Sequence, residues 1–133
     1  MLISKFNANP RIANSKLVLP ELSYELNGIL FKVHNELGRF LNEKQYADAV
    51  EKILKANKIK YEREKVLDRN KIDFLVENKI ILELKTKRML LREDYYQVRR
   101  YLEVLGLKLG ILVNFRDKYL KPRRILNSKI RNP

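Results

Sequence analysis

The stretch KIDFLVENKIILELK, which runs from Lys71 to Lys85, carries the pattern that decides the fold. Two apolar runs, 71–76 and 79–85, flank the tripeptide Glu77-Asn78-Lys79. Short apolar runs around such a tripeptide predict two strands joined by a tight turn, in which Asn78 can adopt a left-handed conformation. The stretch therefore predicts an antiparallel hairpin.

Charged residues interrupt this hairpin at positions that share a face. Because side chains alternate along a strand, Glu83 and Lys85 lie on one face and the apolar residues between them on the other. If the turn has three residues, Asp73 lies directly opposite Glu83. Two facing carboxylates repel each other, so they need a cation, which Lys85 supplies in part and a divalent metal would supply more fully. An amphipathic hairpin with a solvated outer face is the alternative, and a one-residue shift in the turn would remove the pairing.

Carboxylate oxygens without nearby thiolates favour Mg²⁺ or Mn²⁺ over zinc. A metal held by Asp73 and Glu83 would activate water and neutralise charge on a phosphate, while Lys85 positions or deprotonates the attacking water. The hairpin thus predicts a phosphate-cleaving site.

The rest of the chain predicts helices around a sheet. Pro20 opens a first helix that Gly38 ends, and Asn42 caps a second helix, with Gln45 completing a capping box. A third helix is predicted at 93–105, and strand-like runs lie at 59–67, 108–114 and 123–126. We therefore expect an α/β domain with a mixed central β-sheet flanked by helices. The domain should occupy 20–127, between an N-terminal tail or strand at 1–19 and a basic C-terminal tail at 128–133.

The charge of the chain points to a polyanionic partner. It carries 29 Lys and Arg against 16 Asp and Glu, a net charge of +13, in 133 residues. Eleven of the basic residues but only four of the acidic ones lie in 91–133. Such a surplus attracts nucleic acid, although an RNA- or ribosome-associated basic protein has the same signature.

Other function classes are excluded by composition. The chain has no cysteine, which excludes disulfides, thiolate metal sites and cysteine nucleophiles and fits a cytoplasmic location. No apolar run approaches the length of a membrane span, so no membrane partner is expected.

Two further residues are candidate metal ligands. Glu43 heads the apolar stripe of the second helix, so we expect it on the buried side, directed at the hairpin. A first-turn acid that complements the helix dipole is the alternative. His34, the single histidine, lies near the same rim in this interpretation, but it could equally be a packed or surface residue.

The third helix carries candidate substrate-binding residues. Gln97 and Tyr101 are four residues apart on one face; the glutamine can bind a phosphate or orient Lys85, and the tyrosine can stack on a base. The alternative places Tyr101 in the core. Basic residues that could bind backbone phosphates are Lys87, Arg88, Arg99 and Arg100.

These motifs resemble a known superfamily. Asp73 followed by Glu83-Leu84-Lys85 is similar to the core of the PD-(D/E)xK nucleases, although Lys71 and Ile72 replace the proline of that pattern. The spacing of Gln97 and Tyr101 resembles the QxxxY element of RecB-like members.

From about Glu25 to Leu126 the chain also resembles the small GxxExxY proteins, which are assigned to the same superfamily. Glu43 and Tyr46 match the acid and the tyrosine of the name motif, while Phe40 takes the place of its glycine.

The resemblance implies a restriction-endonuclease-like core and a Mg²⁺-dependent deoxyribonuclease. Asp73, Glu83 and Glu43 would hold the metal, with the Leu84 carbonyl and His34 as further ligands. Lys85 would orient the nucleophilic water, and the third helix would support the lysine or the substrate. The alternative is a catalytically inactive nucleic-acid-binding or assembly module with the same fold. A homodimer or a partner subunit would suit so small a domain.

Overall fold

The structure, a computed structural model, describes residues 18–129. Most of the tail predicted at 1–19 and of the basic tail predicted at 128–133 lies outside the described residues. The described chain forms helices α1 (Pro20–Leu37), α2 (Glu43–Ala56) and α3 (Arg92–Leu105), and strands β1 (Tyr61–Leu67), β2 (Asn70–Val76), β3 (Ile80–Lys85), β4 (Leu109–Asn114) and β5 (Arg123–Leu126). None of the helices within 18–129 combines the length and the apolar character needed to cross a membrane.

The strands build one mixed sheet in chain order, β1-β2-β3-β4-β5. Neighbours run antiparallel except β3 and β4, which are parallel and are connected through α3. A parallel pair needs such a crossover, because the chain must return to the same end of the sheet. The predicted mixed α/β architecture is confirmed.

Local signals set the helix ends. The Asn42 side chain accepts a hydrogen bond from the Gln45 N–H (2.9 Å), and the Gln45 side chain accepts one from the Asn42 N–H (3.0 Å). This is the predicted capping box, and it satisfies backbone donors that the first helical turn leaves free. Gly38 follows α1 with a φ of 78°, a conformation that favours glycine.

Apolar residues pack on both faces of the sheet. Helices α1 and α2 cover one face, where Leu82 and Leu84 of β3 are fully buried. Helix α3 covers the other face, against Ile81 of β3. The alternation predicted for β3 is therefore confirmed, and Glu83 and Lys85 lie on the α3 side.

Close packing of α3 on β4 depends on Gly110. A Cβ at this position would lie 2.5 Å from Cγ1 of Val98 on α3. We expect Gly110→Ala to lower the free energy of unfolding by about 1–3 kcal/mol, because the β-branched valine cannot move its methyl group away. Chemical denaturation measures the loss.

Gly28 provides the matched control, since a Cβ there meets nothing within 4 Å. Gly28→Ala in α1 should raise stability by up to about 1 kcal/mol. Adding Val98→Ala to Gly110→Ala should cost less than the sum of the two single changes. Full additivity would contradict the proposed clash.

Candidate active site

The site begins where β2 and β3 separate. Val76 pairs with Ile80 across a three-residue turn, as predicted, and the last paired residues are Phe74 and Leu82. Asn78 in the turn has a φ of 55°, the left-handed conformation expected for it.

The next two residues, Asp73 and Glu83, lie opposite each other in this register but do not form a ladder pair. The Asp73 N–H donates to Oε1 of Glu83 (2.8 Å), and the Leu84 N–H donates to Oδ2 of Asp73 (2.8 Å). Each carboxylate thus accepts a hydrogen bond from a backbone N–H of the opposite strand. On the far side of Asp73, Glu64 of β1 has a positive φ of 54°, so the sheet is distorted on both sides of this aspartate.

The buried carboxylates disfavour full ionisation. Glu83 is only 3% exposed, and burial together with the nearby Asp73 charge raises the pKa of Glu83 to about 8. Burial also raises the pKa of Asp73, although the Leu84 N–H and the Lys85 charge oppose this. In the described part of the chain, neither carboxylate forms an ion pair with a lysine or arginine. The pair therefore needs a proton or an external cation near neutral pH.

Residues of helix α3, and not Asp73 or Glu83, hold the side chain of Lys85. Nζ of Lys85 donates to Oε1 of Gln97 (3.4 Å) and lies 3.9 Å from Oδ1 of Asp94. The Gln97 contact is the one expected from the sequence. The Lys85 charge still lowers the pKa of both Asp73 and Glu83, which offsets part of their burial.

Tyr101 lies near Asp73 and Glu83, but inside the apolar core between α3 and the sheet. Its side chain is 3% exposed and packs with the residues under α3. Burial, and then the charges of Glu83 and Asp73, raise its pKa. The expectation that Tyr101 stacks on a base is wrong, because the buried ring offers no free face.

Glu43 lies at the rim of the site, as the first residue of α2. The expectation that Glu43 lies on the buried side of α2 is wrong, because its side chain is exposed at the start of the helix. With Asp73, Lys71 and Arg63 it lines an open cleft of about 280 Å³. Partial burial, followed by the charge of Asp73, raises the pKa of Glu43, so the two carboxylates face the same space.

His34 does not join this cluster. Its Nε2 lies 2.8 Å from the backbone oxygen of Asp117, and a carbonyl only accepts hydrogen bonds, so Nε2 carries the proton. The ring also lies 6.2 Å from that of Phe115. No group of three or more His, Cys, Asp and Glu side chains within 18–129 is placed to hold a metal ion. The candidate ligands that lie next to each other are the carboxylates of Asp73 and Glu83.

The predicted phosphate-binding residues divide into two groups. Lys87 is engaged by both carboxylate oxygens of Asp94, at 3.2 and 2.9 Å. Arg88, Arg99 and Arg100 are exposed near the same helix. The exposed arginines remain available for a substrate, whereas Lys87 fastens the loop after β3 to α3.

Two positioning residues escaped sequence reasoning. Asp94 is buried and joins Lys85, Lys87 and the Leu91 N–H (2.7 Å). Asn114 is also buried; its side chain accepts from the Lys87 N–H (3.0 Å) and donates to the Lys87 oxygen (2.7 Å). The only signal for Asn114 is a polar residue at the end of an otherwise apolar strand.

Tyr46 fixes the turn that leads to Glu43. Its hydroxyl donates to the Gly38 oxygen (2.6 Å) and accepts from the Leu41 N–H (3.3 Å). Its ring stacks on Phe115 with the centroids 4.2 Å apart. Tyr46, which matches the tyrosine of the GxxExxY name motif, therefore has a structural function here.

Comparison with known proteins agrees with this geometry. The family model described as the PD-(D/E)XK nuclease superfamily matches residues 20–125, most of the chain. No curated protein and no solved structure matches it. The finer resemblance to the GxxExxY proteins stays a prediction.

The carboxylate pair predicts an unusual pH dependence of stability. In the unfolded chain Glu83 ionises near its ordinary pKa of 4.5, but in the folded chain it ionises near 8. Between these values the folded state holds a proton that the unfolded state has lost, so stability falls as pH rises. Glu83→Gln removes this loss, and in EDTA it should be more stable than the parent at pH 8 by up to a few kcal/mol.

Denaturation curves at pH 5 and pH 8 measure the effect. The advantage of Glu83→Gln should be small at pH 5 and large at pH 8, while Glu25→Gln, an exposed glutamate of α1, should show no such growth. An advantage that does not increase with pH would contradict the raised pKa.

Proposed function

This chain belongs to the PD-(D/E)XK nuclease superfamily, and from that premise we propose that it hydrolyses phosphodiester bonds in DNA with Mg²⁺ or Mn²⁺. The observation that carries the proposal is the adjacent pair of the half-buried Asp73 and the buried Glu83, which lacks an ion-pair partner in the described chain. Lys85 lies on the same face of β3 as Glu83 and completes the motif. A fold alone does not settle an activity, whereas an intact acid pair beside a positioned lysine supports one.

The donor set fits a hard divalent cation. Carboxylate oxygens are the ligands that Mg²⁺ and Mn²⁺ prefer, and Mg²⁺ commonly uses one or two carboxylates with water and phosphate oxygens. Asp73 and Glu83 would hold the ion, with Glu43 reaching it through water from the rim and the Leu84 carbonyl as a further ligand. When bound, such an ion would lower the pKa of water and neutralise charge on the phosphate.

The chain itself would place the lysine and the substrate. Gln97 and Asp94 restrain Nζ of Lys85, so its N–H groups can orient the attacking water or a phosphate oxygen. Arg88, Arg99 and Arg100 would bind backbone phosphates, and the net charge of +13 would draw the polyanion to the surface.

Metal binding can be measured without turnover. Mn²⁺ or Mg²⁺ at saturating concentration should raise the melting temperature of the parent by several degrees, because a ligand that binds only the folded state stabilises it. Asp73→Asn should lose this shift. Asp68→Asn, at an exposed turn, should keep the rise in melting temperature. If the metal raises the melting temperature of both variants equally, the metal binds at another site.

Cleavage is tested on linear, circular, single-stranded and branched DNA with Mg²⁺ and with Mn²⁺. Lys85→Met should lower the cleavage rate at least about 100-fold while DNA binding is largely kept, because the lysine acts on the reacting water. Lys52→Met, an exposed lysine of α2, should cleave like the parent.

Two outcomes would overturn the assignment. Cleavage that survives both Lys85→Met and Asp73→Asn would come from another source. A parent protein that binds DNA but cleaves none of the four substrates would be the binding or assembly module instead.

A further inference from the structure

Beside the site, the surface carries a cluster of two exposed aromatic and three basic side chains, of which Lys118 is exposed and the two arginines are partly buried. We name it the aromatic platform, and it consists of Arg39, Phe40, Arg116, Lys118 and Tyr119. Phe40 and Tyr119 are 73% and 72% exposed, more than any other aromatic side chain within 18–129. Exposed apolar surface that polar or charged side chains border is typical of an interaction site.

A reciprocal contact builds the platform. Nε of Arg39 donates to the backbone oxygen of Arg116 (2.8 Å), and Nε of Arg116 donates to the backbone oxygen of Arg39 (3.2 Å). The two guanidinium carbons lie 4.9 and 5.6 Å from the centroid of the Phe40 ring. The arginines are therefore anchored next to the ring, and Phe40 is still 73% exposed.

Tyr119 repeats this chemistry on the same loop. Nζ of Lys118 lies 5.5 Å from the centroid of its ring. Cations held over aromatic rings suit a ligand that offers both flat π surfaces and negative charge. They would oppose a purely apolar protein partner, because the cations would have to lose their hydration.

The platform adjoins the proposed active site. Phe40 precedes Glu43 by three residues, in the turn that Tyr46 fixes. On the other side, the Phe115 N–H donates to the backbone oxygen of Lys85 (2.8 Å), so the loop that carries Arg116 leaves β4 beside the end of β3. A strand bound on the platform would thus be delivered to Glu43 and Lys85.

We propose that the aromatic platform binds unpaired nucleotides, with a base stacked on Phe40 and the flanking phosphates on Arg39 and Arg116. This rests on the proposed function, since it makes the bound strand the substrate of the same site. In duplex DNA the bases already stack on each other, so an exposed ring gains little there. The preferred substrate class is therefore single-stranded nucleic acid, or duplex with an unpaired segment.

Fluorescence anisotropy in EDTA measures binding without cleavage. The probes are a labelled single-stranded thymidine 20-mer and a labelled blunt duplex of equal length. Phe40→Ala should weaken binding of the single strand about tenfold and leave the duplex nearly unchanged, whereas Phe40→Tyr should bind both like the parent. Val104→Ala, which shortens an apolar side chain 63% exposed on α3, should change neither.

The arginines provide a second readout. Arg116→Gln should weaken the binding of both probes. It should also reduce the slope of log affinity against log salt concentration by the amount that corresponds to about one phosphate contact. Circular dichroism and melting temperature verify that the variants are folded.

Defined results would overturn the platform. The proposed stacking of a base on Phe40 is contradicted if Phe40→Ala weakens binding of neither probe or of both probes equally. It is also contradicted if the parent protein binds the duplex more tightly than the single strand. These binding results are independent of hydrolysis. If the parent cleaves no substrate and Phe40→Ala loses single-strand binding, the nuclease proposal is refuted and the platform is supported. If the parent cleaves circular duplex and Phe40→Ala binds the single strand like the parent, the platform is refuted and the nuclease proposal is supported.

Discussion

The site depends on the place where the pairing of β2 and β3 ends, because there the carboxylates of Asp73 and Glu83 accept hydrogen bonds from backbone N–H groups of the opposite strand. Hydrogen bonds from N–H groups favour the anionic forms, but burial of two acids together opposes them, and burial raises the pKa of both. The fold thus creates a place where a positive charge is missing. The divalent cation proposed above is one way to supply it.

The end of the pairing with β2 is tolerated because β3 is held on its other edge. From Ile80 to Lys85 the strand pairs in parallel with β4, and the last pair joins Lys85 to Asn114. Leu82 and Leu84 are fully buried under α1 and α2. Glu83 and Lys85 therefore project from a rigid strand, the placement that gives a reactive constellation its precision.

Local patterns were sufficient to predict much of this arrangement from the sequence. The Asn42 capping box, the three-residue turn and the side-chain alternation of β3 each depend on residues within a few positions of one another. Most contacts between distant segments could not be predicted, since periodicity gives the face of an element but not its neighbour. The bond of His34 to the Asp117 backbone and the Arg39–Arg116 contact belong to this second kind. The Lys85–Gln97 contact and the burial of Tyr101, by contrast, were among the alternatives that the sequence offered.

The same buried contact supports both the proposed chemistry and the proposed binding surface. Tyr46 stacks on Phe115 and holds the turn between α1 and α2 through Gly38 and Leu41. That turn carries Phe40 on one side and leads to Glu43 on the other, while the chain after Phe115 carries Arg116. The proposed substrate binding and the proposed metal binding would therefore both depend on the Tyr46–Phe115 contact. The same contact would bring a bound strand close to Asp73 and Glu83. In this arrangement Tyr46 aligns the two functions without taking part in either.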